Sequence, residues 1–259
     1  MKKLVIATAL LGFAFNANAT SVIFDDFNID HGPLSLGKYD MQTTKDAAAQ
    51  DGSILGGERD IRLHIVTSSG VSSDALAEAG ANPMASQLSW SNASGAVSWV
   101  EMVYDGTVNA HDTKGPYSTT EGLADNIDKD GLGATDLSTF TDFFFNVTSN
   151  DAANNFDYYF SLYDTMGGSA IFTGSNMGSV GQVLLGFENF AGVDFTKISA
   201  ISWGFIGDGD AIDIRIDSWG VVPEPSIMAV FGTGLLMFGA MGYRRKEKGE
   251  SLQNPNALQ

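Results

Sequence analysis

The segment Ala211-Ile-Asp-Ile-Arg-Ile-Asp217 constrains the fold more than any other stretch of this chain. Ile212, Ile214 and Ile216 fall on one side of an extended backbone, and Asp213, Arg215 and Asp217 fall on the other. This period of two is the mark of a strand with one buried face. Short β-branched and aromatic runs recur at residues 22–27, 61–67, 87–91, 97–104, 142–148, 156–163, 171–173, 182–187 and 198–206; each reads as a strand. Gly207-Asp-Gly-Asp210 predicts a hairpin between 198–206 and the alternating segment. The Asn-rich turn at 150–155 predicts a second, aromatic hairpin from 142–148 to 156–163. No long amphipathic helix is evident outside the termini, and residues 74–79 have room for one short helical turn. Residues 68–85 and 106–136 resist strand assignment and read as long loops. The expected fold class is all-β, an antiparallel β-sandwich of jelly-roll-like type.

Composition narrows the chemistry. The chain has 259 residues and no cysteine, which removes disulfides, thiol nucleophiles and zinc–thiolate sites. Between residues 20 and 222 there are eight Lys or Arg against 28 Asp or Glu, a net charge of −20. Such a domain repels nucleic acid and anionic membrane surfaces and attracts divalent cations. Nucleic acid is therefore excluded as a partner. The 200 or so residues concerned suit one sizeable β-domain.

The positive charge sits at the two ends. Met1-Lys2-Lys3, an apolar run to Phe15, and Ala17-Asn18-Ala19 follow the basic, apolar and small-residue order of a signal peptide, with cleavage expected after Ala19. At the other end, residues 226–243 contain no charge and four glycines. As a helix they reach roughly 27 Å, close to the ~30 Å hydrocarbon core of a bilayer. Arg244, Arg245 and Lys246 follow at once; the positive-inside rule places them in the cytoplasm and the acidic domain outside. The expected organisation is a signal peptide (1–19), the acidic β-sandwich (20–220), a sorting segment (221–248) with a single transmembrane helix (226–243), and a polar tail (249–259).

Pro223-Glu224-Pro225, the Gly-studded apolar helix and the Arg244-Arg245-Lys246 cluster together resemble the PEP-CTERM sorting signal of Gram-negative bacteria. The resemblance covers about a tenth of the chain. The residues from Glu247 to Gln259 make a longer tail than such signals usually carry. The resemblance implies recognition of Pro223, Glu224 and Pro225 by an exosortase, removal of the tail, and release or transfer to the cell surface. It also implies a setting of exopolysaccharide and biofilm production. Proline chemistry supports the reading, because Pro225 holds Glu224 extended just outside the membrane.

Within the domain, Asn126-Ile-Asp128-Lys-Asp130-Gly131-Leu132 places oxygen ligands at alternate positions before a glycine, as in the first half of an EF-hand-type loop. Calcium is the implied ion, with Asn126, Asp128, Asp130 and the Leu132 carbonyl as ligands. The bidentate acid of such loops is absent, and Asp136 is only a neighbour. Asp208 and Asp210 form a weaker candidate. Trp219, if the last strand stays regular, joins the polar face of Asp213, Arg215 and Asp217, where it could stack on a sugar ring. Trp90, Trp99 and Trp203 read as core. His64 reads as half-exposed, and Gly56-Gly57-Glu58-Arg59-Asp60 as a turn with a local charge pair. No nucleophile elbow, zinc-protease motif or Glu-x-Asp-x-x-Glu spacing occurs. These features predict a secreted or cell-surface protein with a binding or structural role toward exopolysaccharide; the alternative is a polysaccharide hydrolase or lyase.

Overall fold

In the computed structural model, Ile212, Ile214 and Ile216 point inward while Asp213 and Arg215 face solvent. The structure describes residues 20–30, 33–37, 43–68, 77–82, 86–106, 127–150, 157–175, 180–208 and 211–224; for residues 43–47, 66–68, 77–82 and 208 it describes backbone only. Ala17, Ala19, Asn126, Asp210, Pro225, Arg244, Arg245 and Lys246 lie outside the described residues, as do the expected signal peptide and transmembrane helix. Among the described residues no helix is long and apolar enough to cross a membrane.

The strands are β1 (Val22–Asp25), β2 (Leu34–Leu36), β3 (Thr43–Gln50), β4 (Glu58–Ser68), β5 (Ala77–Asn82), β6 (Gln87–Asn92) and β7 (Ala96–Tyr104). They continue with β8 (Phe140–Asn150), β9 (Asp157–Asp164), β10 (Ser169–Ser175), β11 (Gly181–Gly186), β12 (Ile198–Asp208) and β13 (Ile212–Pro223). The first sheet runs β11–β8–β13–β6–β5–β2, with β1 also beside β13; the second runs β10–β9–β12–β7–β4–β3. The pairings are antiparallel, and residues Ser21–Val222 form one compact unit.

The two sheets pack face to face because each supplies one apolar row. Rings carry most of the contact. Phe145 of β8 meets Trp203 of β12 at 4.9 Å between centroids, and Trp90 of β6 meets Phe205 of β12 at 5.7 Å. Trp219 of β13 meets Tyr104 of β7 at 4.7 Å. Such pairs contribute about 0.5–1.5 kcal/mol each beyond area burial.

Both expected hairpins are corrected by this topology. β12 lies in the second sheet and β13 in the first; β8 and β9 are divided in the same way. Each of these strands has a row of rings or branched aliphatics to bury. Crossing between sheets lets consecutive rows face one another across the core. The expected long loop at 68–85 contains β5, whose Ala77–Asn82 run also replaces part of the expected helical turn. β3, rich in alanine, is a strand through its pairing with β4, from Thr43–Ile65 to Gln50–Glu58. Tertiary pairing overrides weak β-propensity there.

The Gly56-Gly57 turn is present, with φ of 74° and 84°, a region open chiefly to glycine. Its charge pair is not local. Arg59 points into the core and meets Asp25 of β1 at 2.6 Å, with both side chains buried. The Tyr104 hydroxyl also donates to Asp25, at 2.9 Å, and Arg59 donates to the Ile29 carbonyl at 2.6 Å. Burial, and then the Asp25 charge, pushes the Tyr104 hydroxyl well above its ordinary pKa.

Candidate binding face

β4 alternates twice over. Arg59, Ile61, Leu63 and Ile65 face the core, so Glu58, Asp60, Arg62 and His64 must occupy the outer face of the second sheet. Register extends this polar row across the neighbouring strands. His64 pairs with Trp99, Arg62 with Glu101 and Asp60 with Val103. On the far side of β7, Glu101 pairs with Gly204 and Val103 with Ser202. β9 then places Tyr159 beside Gly204, Ser161 beside Ser202 and Tyr163 beside Ala200. Two rows result: Arg62–Glu101–Gly204–Tyr159 and Asp60–Val103–Ser202–Ser161. Each crosses three strand spacings, about 14 Å.

Gly204 makes the aromatic part of this face flat. A Cβ there would come within 2.9 Å of the Tyr159 ring. The glycine therefore lets Tyr159 lie across β12 instead of standing away from it. Trp99 and Tyr159 form an aromatic cluster separate from the core between the sheets, and the His64 ring stacks on Trp99 at 5.0 Å and 18°.

This face is polar, yet it is buried: Trp99 is 2%, Tyr159 1%, Glu101 1% and Asp60 2% exposed. Burial sets its electrostatics. The Glu58 carboxyl is raised to about 7, first by burial and then by the charges of Asp60 and Asp105. The His64 pKa is lowered by burial and then by the Arg62 charge. Burial, and next the Glu101 charge, pushes the Tyr163 hydroxyl up. Arg62 and Glu101 approach to 4.0 Å. Among the described residues, the Trp99 indole N–H, the Ser202 hydroxyl and Glu58 Oε1 are buried without a hydrogen-bond partner. Rings lying along a face, with donors and acceptors between them, can take a polyhydroxylated ligand.

Two tryptophans exchange the places expected for them. Trp219 is fully buried between the sheets, packed on Phe24, Tyr104, Phe145 and Trp203. The inward positions of β13 run 212, 214, 216 and then 219 and 221. The alternation shifts phase at Asp217-Ser218, as an extra residue in a strand requires, and Trp219 turns away from the polar face. Trp99, expected in the core, is the tryptophan on the outer face. His64 is also buried rather than half-exposed.

The acidic loop caps itself. Asp128 Oδ1 accepts the Asp130 N–H at 3.0 Å, Asp136 Oδ1 accepts the Ser138 N–H at 2.9 Å, and the Leu132 carbonyl accepts the Thr135 hydroxyl at 3.1 Å. The first two are turn-forming bonds of the Asx kind. The Ser138 bonds also hold the Asp136 carboxyl below its ordinary pKa. Backbone bonds Leu132–Ser199 and Thr135–Ile198 lay the loop along the start of β12. Among the described residues no group of three or more His, Asp or Glu side chains is placed to hold a metal ion.

No protein-family model and no curated protein matches the sequence. Among solved structures, the chain is similar to the family 11 carbohydrate-binding module of the cellulosomal cellulase Lic26A-Cel5E of Clostridium thermocellum. The identity is 12% over 79% of this chain and 95% of that one, with a TM-score of 0.35. A solution structure of CtCBM11 is similar at 13% identity, over 78% and 95% of the two chains, with a TM-score of 0.37. The Clostridium thermocellum module solved with a beta-1,3-1,4-mixed-linked tetrasaccharide is similar at 12%, over 74% and 96%, with a TM-score of 0.32.

Proposed function

We propose that this chain is an exported polysaccharide-binding protein whose ligand takes up the groups of the outer face of the second sheet, which must open to admit it because Trp99, Glu101 and Tyr159 are only 1–2% exposed. The observation that carries the reading is the row Arg62–Glu101–Gly204–Tyr159, with Trp99 beside it and Ser161 and Ser202 in the next row. A face that served only to close the fold would be apolar, since burying charged and polar groups costs desolvation even when they are paired. Here the sheet sets aromatic rings, both charge signs and hydroxyls side by side. Affinity electrophoresis against a panel of soluble polysaccharides, neutral and acidic, tests the reading. Retardation by at least one member, lost in a Ser202→Ala variant that keeps its melting temperature, is expected. No retardation by any member refutes it.

The protein would reach its site of action through the PEP-CTERM-like tail and an exosortase. The end of β13 supports this route. Pairing with β1 reaches Val221, the Thr141 hydroxyl holds the Val222 carbonyl at 3.5 Å, and Glu224 is exposed. The fold thus grips the chain up to the motif and leaves the acidic residue accessible to a reader. Mass spectrometry of the exported protein should find a C-terminus near Pro225; intact Tyr243–Gln259 on that form would reject the route.

One observation favours a second reading, a polysaccharide hydrolase. Glu58, titrating at about 7 beside Asp60 and Asp105, has the protonation of a general acid near neutrality. Reducing-sugar release lost in Glu58→Gln would establish turnover, and its absence on every retained polysaccharide leaves binding alone.

A further inference from the structure

Past Tyr163, at the turn between β9 and β10, the structure holds a small cavity of about 190 Å³. Tyr163 stands on the outer face of the second sheet, paired with Ala200 on one side and Ser169 on the other. The cavity therefore continues the binding face at its edge. Thr165, Gly168 and Ser169 line one side, and Lys129 and Asp130 of the self-capped loop line the other.

The turn that forms the cavity is held by one carboxylate. Asp164 Oδ1 accepts the N–H groups of Met166 and Gly168, and Oδ2 accepts that of Asp194, each at 2.8 Å. Those bonds lower the Asp164 pKa and occupy both its oxygens. A Cβ at Gly168 would collide with that carboxylate and with the Gly192 carbonyl, so the position admits glycine alone. Thr165 N–H is bonded to the Lys197 carbonyl at 3.1 Å. The walls are thus fixed before any ligand arrives, which reduces the ordering cost of binding.

We propose that this cavity is a subsite for one neutral sugar unit of the polysaccharide on the outer face; the inference rests on that reading. Its size is below the roughly 300–1,000 Å³ of sites for drug-sized ligands, so one ring fits and a chain does not. The Lys129 ammonium lies 5.2 Å from the centre of the Tyr163 ring and offers donors, the exposed Asp130 carboxylate accepts, and the Thr165 and Ser169 hydroxyls do either. That mixture matches the alternating donor and acceptor roles of sugar hydroxyls. An acidic sugar is disfavoured, since among the described residues the cavity is lined by Lys129 as its single cation against Asp130 and Asp164, in a domain of net charge −20;. A divalent cation is disfavoured too, because the oxygens of Asp164 are already bonded to backbone.

The test is a ¹H–¹⁵N titration of the purified full chain in a phosphocholine detergent, with D-glucose, D-galactose, D-mannose and D-glucuronate as separate probes. The amides of Gly167, Gly168 and Ser169 report the cavity, and the Trp99 indole reports the face during titration with a panel polysaccharide. At least one neutral hexose should move the three amides saturably, with glucuronate weaker. Lys129→Ala should weaken that hexose about ten-fold, the loss of one charge-assisted hydrogen bond, without lowering the melting temperature. If the polysaccharide moves Trp99 while no sugar moves the amides, or if glucuronate binds best, the subsite is wrong and the face stands. If hexoses move the amides while Trp99 is silent to every polysaccharide, the subsite stands and the face reading fails. If neither site responds, both fail.

Discussion

The two faces of the sheet formed by β10, β9, β12, β7, β4 and β3 are buried to a similar degree and built from opposite chemistry. The inner face carries Ile61, Leu63, Val100, Met102, Phe160, Trp203 and Phe205. The outer face carries Asp60, Arg62, His64, Trp99, Glu101, Tyr159 and Ser202, each 5% exposed or less. Low exposure therefore does not identify the core here; partner chemistry does. Inner residues find rings and aliphatic chains from the other sheet. Outer residues sit in a polar array in which, among the described residues, the Trp99 indole N–H, the Ser202 hydroxyl and Glu58 Oε1 have no hydrogen-bond partner. The inner face accounts for stability, and the outer face has the groups of a binding surface.

The largest effects belong to the inner face. Trp219→Ala should cost about 3–5 kcal/mol in chemical denaturation, since its ring contacts span both sheets. Arg59→Ala should cost a similar ~3–5 kcal/mol by leaving Asp25 buried and unpaired. Either variant unfolding at the wild-type denaturant midpoint would erase the contrast between the faces. On the outer face, Ser202→Ala removes a buried hydroxyl that has no partner among the described residues. Its stability should change by no more than about 0.5 kcal/mol, or rise, while polysaccharide retention falls. A loss of stability comparable to Trp219→Ala would make the outer face a second core.

Acid should sharpen the difference. Glu58 is raised in the folded protein from an ordinary value of 4.5 to about 7. The folded state thus binds the proton more tightly than the unfolded one. Its contribution is complete below pH 4.5 and is lost as pH rises to about 7. The melting temperature should decline across that window, and Glu58→Gln should remove this part of the decline. A profile unchanged in Glu58→Gln would show that the carboxyl cluster is not coupled to folding. The smallest effect is expected in the acidic loop. Asp128→Ala should cost about 1 kcal/mol, the worth of one turn hydrogen bond, equally with calcium and with a chelator. A cost that appears only with calcium would restore the ion-binding reading of that loop.

Most strands were legible because alternation and β-branched or aromatic residues mark them directly, as at 97–104 and 212–216. β3 and β5 were not, because Ala47-Ala-Ala49 and Ala77-Glu-Ala-Gly-Ala81 carry no such mark and become strands through their neighbours. Sheet membership was hidden as well, since period two tells which residues share a face but not which strand pairs with which. Of the polar row Glu58, Asp60, Arg62, His64, only Arg62 and His64 fall in the strand expected at 61–67, and only that half is visible in the alternation, because Glu58 and Asp60 read as part of the turn before it. The burial of the row is not visible, because solvent exposure of an outer face is not written in the strand that forms it. Trp219 was misplaced by one local event, the phase shift at Asp217-Ser218, and Trp99 by its apolar neighbours Val97, Val100 and Val103. Arg59 pairs with a residue 34 positions away, which local charge patterning could not indicate.

The four tryptophans give the most direct test of the central claim, because Trp90, Trp203 and Trp219 lie between the sheets and Trp99 lies on the outer face. Their indole N–H resonances can be followed in ¹H–¹⁵N spectra while a retained polysaccharide is added. The Trp99 signal should shift saturably and the other three should stay in place. A silent Trp99, with retention intact, would contradict the assignment of the ligand to this face.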